Sequence, residues 1–249
     1  MNRYFTIPVL AAAIFMAAAC NSGKTDDPSA GKDRTAICSI LTIGQTEYLD
    51  SLEYDAQGRL VKVMTFAVED EEIAECEEVC TYTYSEGRIE LTYSSEYNSG
   101  HKYVFTLGKE NRITKAEVDG TEYGFTYDSD GYLTMSDDIS LTWKDGDLVS
   151  DSRGYTYTYL STPNPGYCVV APTATDHWLF EHGYFGKLPK HLLSAWGTRN
   201  EETKVAHEFS CEYEVEGGLP VGCHLTAIHT RGNTPSISEY RITINWKKY

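Results

Sequence analysis

Apolar and polar residues alternate along most of the chain from residue 47 onward, and each alternating run ends in a polar turn. In the clearest example, Leu52 to Leu60, two large side chains stand two positions apart before a polar stretch with Gly58. Close copies occupy residues 82–89, 125–133 and 141–148, and weaker copies occupy residues 105–113 and 211–219. Side chains two positions apart share one face of a strand, and Gly or Asn supplies the positive φ that short hairpin loops require. The pattern therefore predicts a series of β-hairpins.

The residues between the aromatic positions indicate how these hairpins pair. Thr, Ser, Glu and Lys alternate with the aromatics, so one face of the sheet is expected to meet water, as in antiparallel sheets. Many of the 19 tyrosines fall in these strands, where a ring can cover apolar surface while its hydroxyl stays hydrated or hydrogen-bonded. We predict an all-β fold, an antiparallel meander of about a dozen strands, in a single domain over residues 37–249.

Residues 161–200 interrupt the hairpin rhythm. The prolines within residues 161–175 predict a long loop, because proline cannot donate to a strand ladder. A short helix is expected from Thr175 to Gly183, with Trp178 and Leu179 facing inward. A further helical turn is expected over residues 187–196, so that the sheet carries one short helical insertion near residues 174–197.

This insertion has two interpretations. A helix between β segments can plug the open end of a curled sheet, which would bury its apolar residues. Alternatively, it can form a binding loop that displays its aromatic side chains. The aromatic residues that could contact a ligand are Trp178, Tyr184, Phe185 and Trp196.

The N-terminus has the pattern of an export signal. Arg3 precedes an uncharged apolar stretch, small residues follow it, and a cysteine stands at the expected cleavage point, Cys20. The stretch is shorter than the about 20 residues that a membrane-spanning helix needs. The cysteine resembles that of the bacterial lipobox, which implies a signal peptide at residues 1–19 and a diacylglycerol on Cys20. A plain secretory signal that happens to contain a cysteine is the alternative.

Residues 20–36 contain little that could order them, and we expect a lipidated, flexible tether. Within it, Lys24, Asp26 and Asp27 resemble the surface-export signal of Bacteroidetes lipoproteins. The expected location is therefore the outer membrane, with the domain on either the cell surface or the periplasmic face. The membrane partner is reached through the N-terminal lipid.

The segment His182-Gly-Tyr-Phe-Gly-Lys-Leu-Pro-Lys-His-Leu192, together with Tyr213 and Leu219-Pro220, resembles an uncharacterised family of Bacteroidetes lipoproteins. That family is a domain of unknown function with a porin-like fold. The resemblance implies an antiparallel sheet that is curled or partly barrel-like, and it implies no activity. The hairpins also resemble the tyrosine-aspartate repeats of bacterial surface proteins, although their spacing is less regular.

Charge and motifs exclude several classes of function. With 21 Lys and Arg against 37 Asp and Glu, the formal net charge is −16, which argues against nucleic acid as a partner. The sequence has no serine-hydrolase elbow, zinc-protease motif or phosphate-binding glycine loop. We therefore assign no catalytic residue, metal ligand or cofactor. A pair of carboxylates on distant strands would leave no local signature, as in glycosidases.

The cysteines offer one candidate cross-link. Besides Cys20 the chain has six, an even number that permits disulfides in an exported protein. Cys211 and Cys223 lie at equal distances from Gly217, so a hairpin turning there would bring them opposite each other. Two free, buried thiols are the alternative.

These observations together favour a non-catalytic, lipid-anchored protein of the cell envelope. Its sheet would be a scaffold or a binding surface for a glycan or peptide, or for another envelope protein. The principal alternative is a glycan-directed hydrolase that uses two distant carboxylates. A third possibility is a subunit that works inside a larger envelope complex.

Overall fold

The computed structural model describes residues 35–43, 46–69, 72–94, 101–171 and 176–248. The predicted signal peptide and Cys20 lie outside these residues. The described part holds sixteen strands and one α-helix, α1 (His177–Glu181). The strands are β1 (Thr35–Ile43), β2 (Thr46–Tyr54), β3 (Leu60–Glu69), β4 (Glu72–Ser85), β5 (Arg88–Ser94), β6 (Lys102–Leu107), β7 (Ile113–Val118), β8 (Thr121–Tyr127), β9 (Leu133–Ser136), β10 (Ile139–Lys144), β11 (Asp147–Asp151), β12 (Thr156–Pro163), β13 (His191–Asn200), β14 (Val205–Glu216), β15 (Leu219–Arg231) and β16 (Thr234–Lys248).

The hairpin turns form for the reasons that the sequence suggested. Gly58 has φ +76° in the best copy of the repeat, and Asn111 has φ +55° in a weaker copy. The side chain of Asp55 holds the first of these turns, since its Oδ1 accepts hydrogen bonds from the backbone N–H groups of Gln57 and Arg59, each at 2.9 Å. Such Asx turns favour a tight chain reversal, and the backbone N–H of Gly58 adds a hydrogen bond to the carbonyl of Asp55 at 2.9 Å.

Each strand pairs antiparallel with the next one along the chain. Strand β1 pairs with β16 over Thr35–Ser39 and with β2 over Ile40–Ile43. The sheet therefore curls until its first and last strands meet. The all-β antiparallel meander is confirmed, as is the curl implied by the family resemblance. The strands number sixteen among the described residues rather than about a dozen, because short strands such as β9 and β11 carry little alternation of their own.

The turns divide between two ends of the curled sheet. One end, here the plugged end, carries the turns at 55–59, 86–87, 108–112, 128–132, 145–146 and 217–218. The other, here the far end, carries the turns at 119–120, 137–138, 152–155, 201–204 and 232–233. The long β12–β13 connection leaves and re-enters the sheet at the plugged end.

The described part of this connection, residues 164–171 and 176–190, is the plug. Its backbone is hydrogen-bonded to three turns of the plugged end. The N–H of Ile113 donates to the carbonyl of Tyr184 at 2.8 Å. The N–H of Lys187 donates to the carbonyl of Gly131, and the N–H of Lys190 to that of Gly146, each at 3.0 Å. The insertion thus takes the plugging arrangement rather than that of a displayed loop.

The plug supplies the centre of the hydrophobic core. Phe185 is 0% exposed, and its ring meets the rings of Phe125 and Phe105 at centroid distances of 5.0 and 6.2 Å, both edge-on. Leu179 and Phe180 of α1 are equally buried. Burying a side chain of this size contributes about 1.5–3 kcal/mol, so the plug and the sheet stabilise each other.

Two details of the predicted insertion are wrong. The helix turn expected over residues 187–196 is absent, because the chain enters β13 at His191 and pairs with β12. Leu192 and Leu193, 1% and 8% exposed, are held there by the sheet rather than by helical periodicity. The second wrong detail is the start of the helix, which begins after Asp176, whereas Thr175 lies outside the described residues. Leu179 faces inward as expected.

None of the helices in the described ranges is long and apolar enough to cross a membrane.

Candidate functional site

The structure separates the four aromatic residues that the sequence offered for ligand binding. Tyr184 and Phe185, 2% and 0% exposed, lie in the core of the plug, where neither can meet an outside ligand; the expectation of a displayed loop is corrected for both. Trp178 is half-buried against the same core. Trp196 lies apart from them on β13, also half-buried.

Trp196 belongs to a group on the inner face of strands β13 to β15, here the aromatic–histidine cluster: Trp196, His207, Phe209 and His229. The register sets Trp196 opposite Phe209 and His207 opposite His229. The rings of Trp196 and Phe209 are stacked at 4.6 Å with an interplanar angle of 5°. Phe209 meets His229 edge-on at 5.5 Å. Four rings thus form one continuous patch.

The alternation of side chains along β14 shows which face of the sheet carries this patch. His207, Phe209 and Cys211 share one face, and Cys211 is buried in a cluster with Tyr167 of the plug. That face is therefore the inner one. Glu208 lies on the other face and pairs with Arg199 at 2.9 Å. Because β14 begins at Val205, His207 stands near the far end, away from the plug.

The plug holds two buried carboxyl groups, Asp176 and Glu181, and one half-buried imidazole, His177, whose pKa values are shifted. Asp176 caps α1 by accepting from the N–H of Leu179 at 2.6 Å, and it accepts from the hydroxyl of Tyr82 at 3.1 Å. Burial nevertheless raises the pKa of Asp176 to about 6. Burial raises the pKa of Glu181 to about 8 and lowers the pKa of His177 to about 4. The interior of the plug therefore favours the neutral forms.

Hydrogen bonds fix the positions of Glu181 and the neighbouring His182. The Oε1 atom of Glu181 accepts from the N–H of Cys168 at 2.9 Å, whereas its buried Oε2 atom has no hydrogen-bond partner among the described residues. Nδ1 of His182 donates to the carbonyl of Trp178 at 2.7 Å, which leaves Nε2 to accept from the Tyr54 hydroxyl at 3.0 Å. These contacts attach the plug to β2 and to its own loop. These hydrogen bonds have a structural role and are not arranged around a substrate.

A further carboxyl lies on the inner face of β2. The hydroxyl of Thr65 donates to Asp50 at 2.6 Å, and Thr65 is opposite both Asp50 and Glu78 in the register. Burial, together with the charge of Glu78, raises the pKa of Asp50 to about 7, against the lowering effect of the Thr65 hydrogen bond. The two carboxyls thus face the interior two strands apart, a separation of about 9.5 Å along the sheet.

Two cavities adjoin these elements. A small one of about 20 Å³ lies beneath the plug, between Cys168, Tyr159 and Tyr213; it is large enough for about one water molecule. An open groove of about 460 Å³ follows strands β14 to β16 and includes Glu47, Glu214 and Arg241. This groove contains two carboxylates, but neither Trp178 nor Trp196, the two tryptophans that the sequence offered for ligand binding, lines it.

The register corrects the expected geometry of the Cys211–Cys223 pair. Two glycines, 217 and 218, form the turn, and an irregularity between Glu214 and Val215 shifts the pairing. Cys211 consequently lies opposite Leu225, and Cys223 lies opposite Tyr213. The two cysteines are therefore diagonal neighbours rather than a directly opposed pair. Both thiols are buried and free.

Sequence reasoning missed the contact between His207 and His229. Nδ1 of one ring lies 2.6 Å from Nδ1 of the other. In the sequence the two histidines lie in separate strands, and the signal that could join them, a shared register across the 217–218 turn, depends on the irregularity at Glu214. No group of three or more metal-ligating side chains occurs within the described ranges.

Comparison with known proteins supports the fold. A porin-like protein from Bacteroides uniformis, solved at 2.32 Å, is 16% identical, with a TM-score of 0.65 over 85% of this chain and 96% of that one. A porin-like protein from Bacteroides vulgatus is 14% identical, with a TM-score of 0.37 over 84% and 97%. No curated protein matches. The model of the domain of unknown function DUF4595, with porin-like fold, matches residues 52–214. This match spans more than half of the chain, so the chain belongs to the DUF4595 family.

Proposed function

We propose that this protein is a non-catalytic, lipid-anchored component of the bacterial cell envelope that binds a ligand at the far end of its curled sheet. Cys20 would carry the lipid, and the domain would stand on the outer membrane, at the cell surface or on the periplasmic face. A glycan or a peptide is the class of ligand that the site suits best.

One observation carries the binding proposal, namely the contrast between the two ends. The plugged end is filled by a hydrophobic core, and the plug is hydrogen-bonded to the turns of that end. Near the far end, the aromatic–histidine cluster is half-buried on the inner face. Aromatic rings with one accessible face stack on sugar rings and on planar peptide groups, and imidazole nitrogens can hydrogen-bond to hydroxyls.

The net charge of −16 adds a preference among ligands. A strongly negative protein concentrates cations and repels anions near its surface. Neutral or cationic glycans and peptides are therefore expected to bind in preference to acidic ones.

The binding proposal is tested by screening the mature chain on glycan and peptide arrays beside two variants. Trp196→Ala removes the largest ring of the cluster, and we expect it to weaken binding at least about tenfold. Trp178→Ala, on the plug, is the matched control and should retain binding. Equal binding by the wild type and Trp196→Ala would show that the ligand does not bind at the cluster.

The anchoring proposal has its own test. Intact cells are treated with protease, lysed cells serve as the control, and membrane fractions are compared for the wild type and Cys20→Ser. We expect the wild type in the membrane fraction and Cys20→Ser in the soluble one. Digestion in intact cells would assign the domain to the surface, and protection until lysis would assign it to the periplasm. Equal fractionation of the two proteins would contradict lipidation of Cys20.

A glycan-directed hydrolase is the second candidate, favoured by the two glutamates of the 460 Å³ groove. Glu47 comes from β2 and Glu214 from β14, so they are distant in sequence as such pairs commonly are. Release of reducing sugar from a glycan panel that is abolished in both Glu47→Gln and Glu214→Gln would support it. Unchanged release in these variants would remove this pair from consideration.

A further inference from the structure

The contact between His207 and His229 is a built feature of the sheet rather than a chance approach. The two residues are directly opposite in the β14–β15 register, on the inner face. Their Nδ1 atoms are 2.6 Å apart and their ring centroids 4.9 Å apart. Phe209 packs edge-on against His229 at 5.5 Å, which restricts the ring and keeps its Nδ1 aimed at His207.

Two nitrogens in this position share one proton. Each neutral imidazole has one N–H and one lone pair, so a single Nδ1–H can donate to the opposite Nδ1. If both Nδ1 atoms carried protons they would repel each other. A cation placed between the rings would instead engage both Nδ1 lone pairs; the ring that held the proton on Nδ1 would then carry one on Nε2, so both imidazoles stay neutral and no net proton is released.

We propose that His207 and His229 bind a divalent transition-metal ion, Zn²⁺, Cu²⁺ or Ni²⁺, through their Nδ1 atoms. Imidazole is a preferred ligand of these ions. Metal–nitrogen bonds of about 2.0–2.1 Å at a tetrahedral angle place the two nitrogens about 3.3 Å apart. The rings need to separate by less than 1 Å from their present 2.6 Å, a change that small χ rotations supply.

The surroundings determine what completes the coordination. On the flanking strands, Thr198 of β13 lies opposite His207 and Ser236 of β16 lies opposite His229. Both side chains are neutral. The described residues provide no third histidine, cysteine or carboxylate for the ion. Two positions are therefore left to water or to an incoming ligand, as in open rather than structural metal sites.

One charge opposes the ion. Arg231 lies on the same face of β15, two residues nearer the turn, and is exposed. Arg199 and Glu208 lie on the opposite face and neutralise each other. The Arg231 guanidinium repels a cation, so its replacement should tighten binding.

The test is titration of the full mature chain, purified without a histidine tag, with ZnCl₂ in a calorimeter. All proteins, including the reference that is called the wild type in this experiment, carry Cys76→Ser, because Cys76 is an exposed thiol that could bind zinc itself. We expect one ion per chain, a loss of at least about tenfold in affinity for His207→Gln and for His229→Gln, and tighter binding for Arg231→Gln. His224→Gln is the matched control, since His224 is exposed on the same strand but on the other face.

A second measurement does not depend on the variants folding. Electron paramagnetic resonance of the wild type loaded with one equivalent of Cu²⁺ should show two nitrogen ligands. The proposal is overturned if the wild type binds no Zn²⁺ saturably, if either cluster variant binds as the wild type does, or if His224→Gln loses binding equally. It does not depend on glycan or peptide binding, because the metal alone is the probe.

Discussion

At the scale of single residues, close backbone contact decides which positions tolerate a side chain. Gly186 has φ +91°, and a Cβ atom there would lie 2.5 Å from the carbonyl oxygen of Gly131 and 3.1 Å from the ring of Tyr127. This is where the plug meets the β8–β9 turn, and the N–H of Lys187 donates to the same carbonyl. The distinctive Gly-Tyr-Phe-Gly-Lys segment is thus a packing motif, in which the glycine allows contact and the aromatics fill the core.

We therefore expect Gly186→Ala to lower the free energy of unfolding by more than about 2 kcal/mol, from strain and from displacement of the turn. Gly120→Ala is the matched control, since Gly120 has φ +84° but open space around it, and it should cost about 1 kcal/mol. Urea denaturation of both variants measures the difference. Equal losses would mean that backbone strain alone accounts for the effect and that the plug does not press on the turn.

At the scale of elements, the plug helix depends on its cap more than on its length. With five residues, α1 is too short to be stable alone, and Asp176 supplies both its N-cap bond and its link to Tyr82 on β4. The sequence predicted a short helix that starts at Thr175, whereas the cap is Asp176, because no local signal shows that Asp176 reaches Tyr82. The register of β14 and β15 was equally out of reach, because one irregularity at Glu214 moves every pair beyond it.

Asp176→Ala should destabilise the protein by about 2–3 kcal/mol, because it removes the cap and leaves the Tyr82 hydroxyl buried without its acceptor. Hydrogen exchange followed by mass spectrometry should show faster exchange over residues 177–186. Tyr82→Phe, which removes one hydrogen bond but keeps the cap, is the control and should leave this exchange nearly unchanged. Equal acceleration in both variants would assign the effect to the loss of the Tyr82 contact.

At the scale of the whole molecule, the curled sheet surrounds acids that prefer to be neutral. Burial raises the pKa of Asp50 to about 7, of Asp176 to about 6 and of Glu181 to about 8. The folded protein then holds protons that the unfolded chain releases from about pH 4 upward, so stability is greatest at low pH and is lost as the pH rises toward 8. His177 has the opposite pH dependence, because burial lowers its pKa to about 4. The stability that its neutral form contributes is present above about pH 6.5 and is lost as the pH falls below that value.

Between pH 7 and 8, Glu181 accounts for most of this loss, about 1 kcal/mol for one proton over one pH unit. Glu181→Gln mimics the protonated acid, so its advantage over the wild type should grow by that amount between pH 7 and 8. Urea midpoints at the two pH values measure it, with Glu212→Gln, an exposed residue of β14, as the control. A constant difference across this range would mean that Glu181 is already ionised in the folded protein.

The sequence predicted the fold class well because alternation and turn residues are local signals. The burial of Tyr184 and Phe185 was not accessible in the same way, since an aromatic in a loop has the same sequence pattern whether it fills a core or faces a ligand. Only the hydrogen bonds from the plug to three distant turns decide between the two. The aromatic–histidine cluster likewise depends on which strands become neighbours.

The central claim is that one end of the sheet is sealed by the plug while the inner face near the other end is accessible. Hydroxyl-radical footprinting of the mature chain, read by mass spectrometry against the denatured chain, tests it directly. We predict that Trp196, His207 and His229 are oxidised, whereas Tyr184 and Phe185 are protected. Oxidation of Tyr184 and Phe185 at the rate of the denatured chain, with protection of Trp196, would contradict the account.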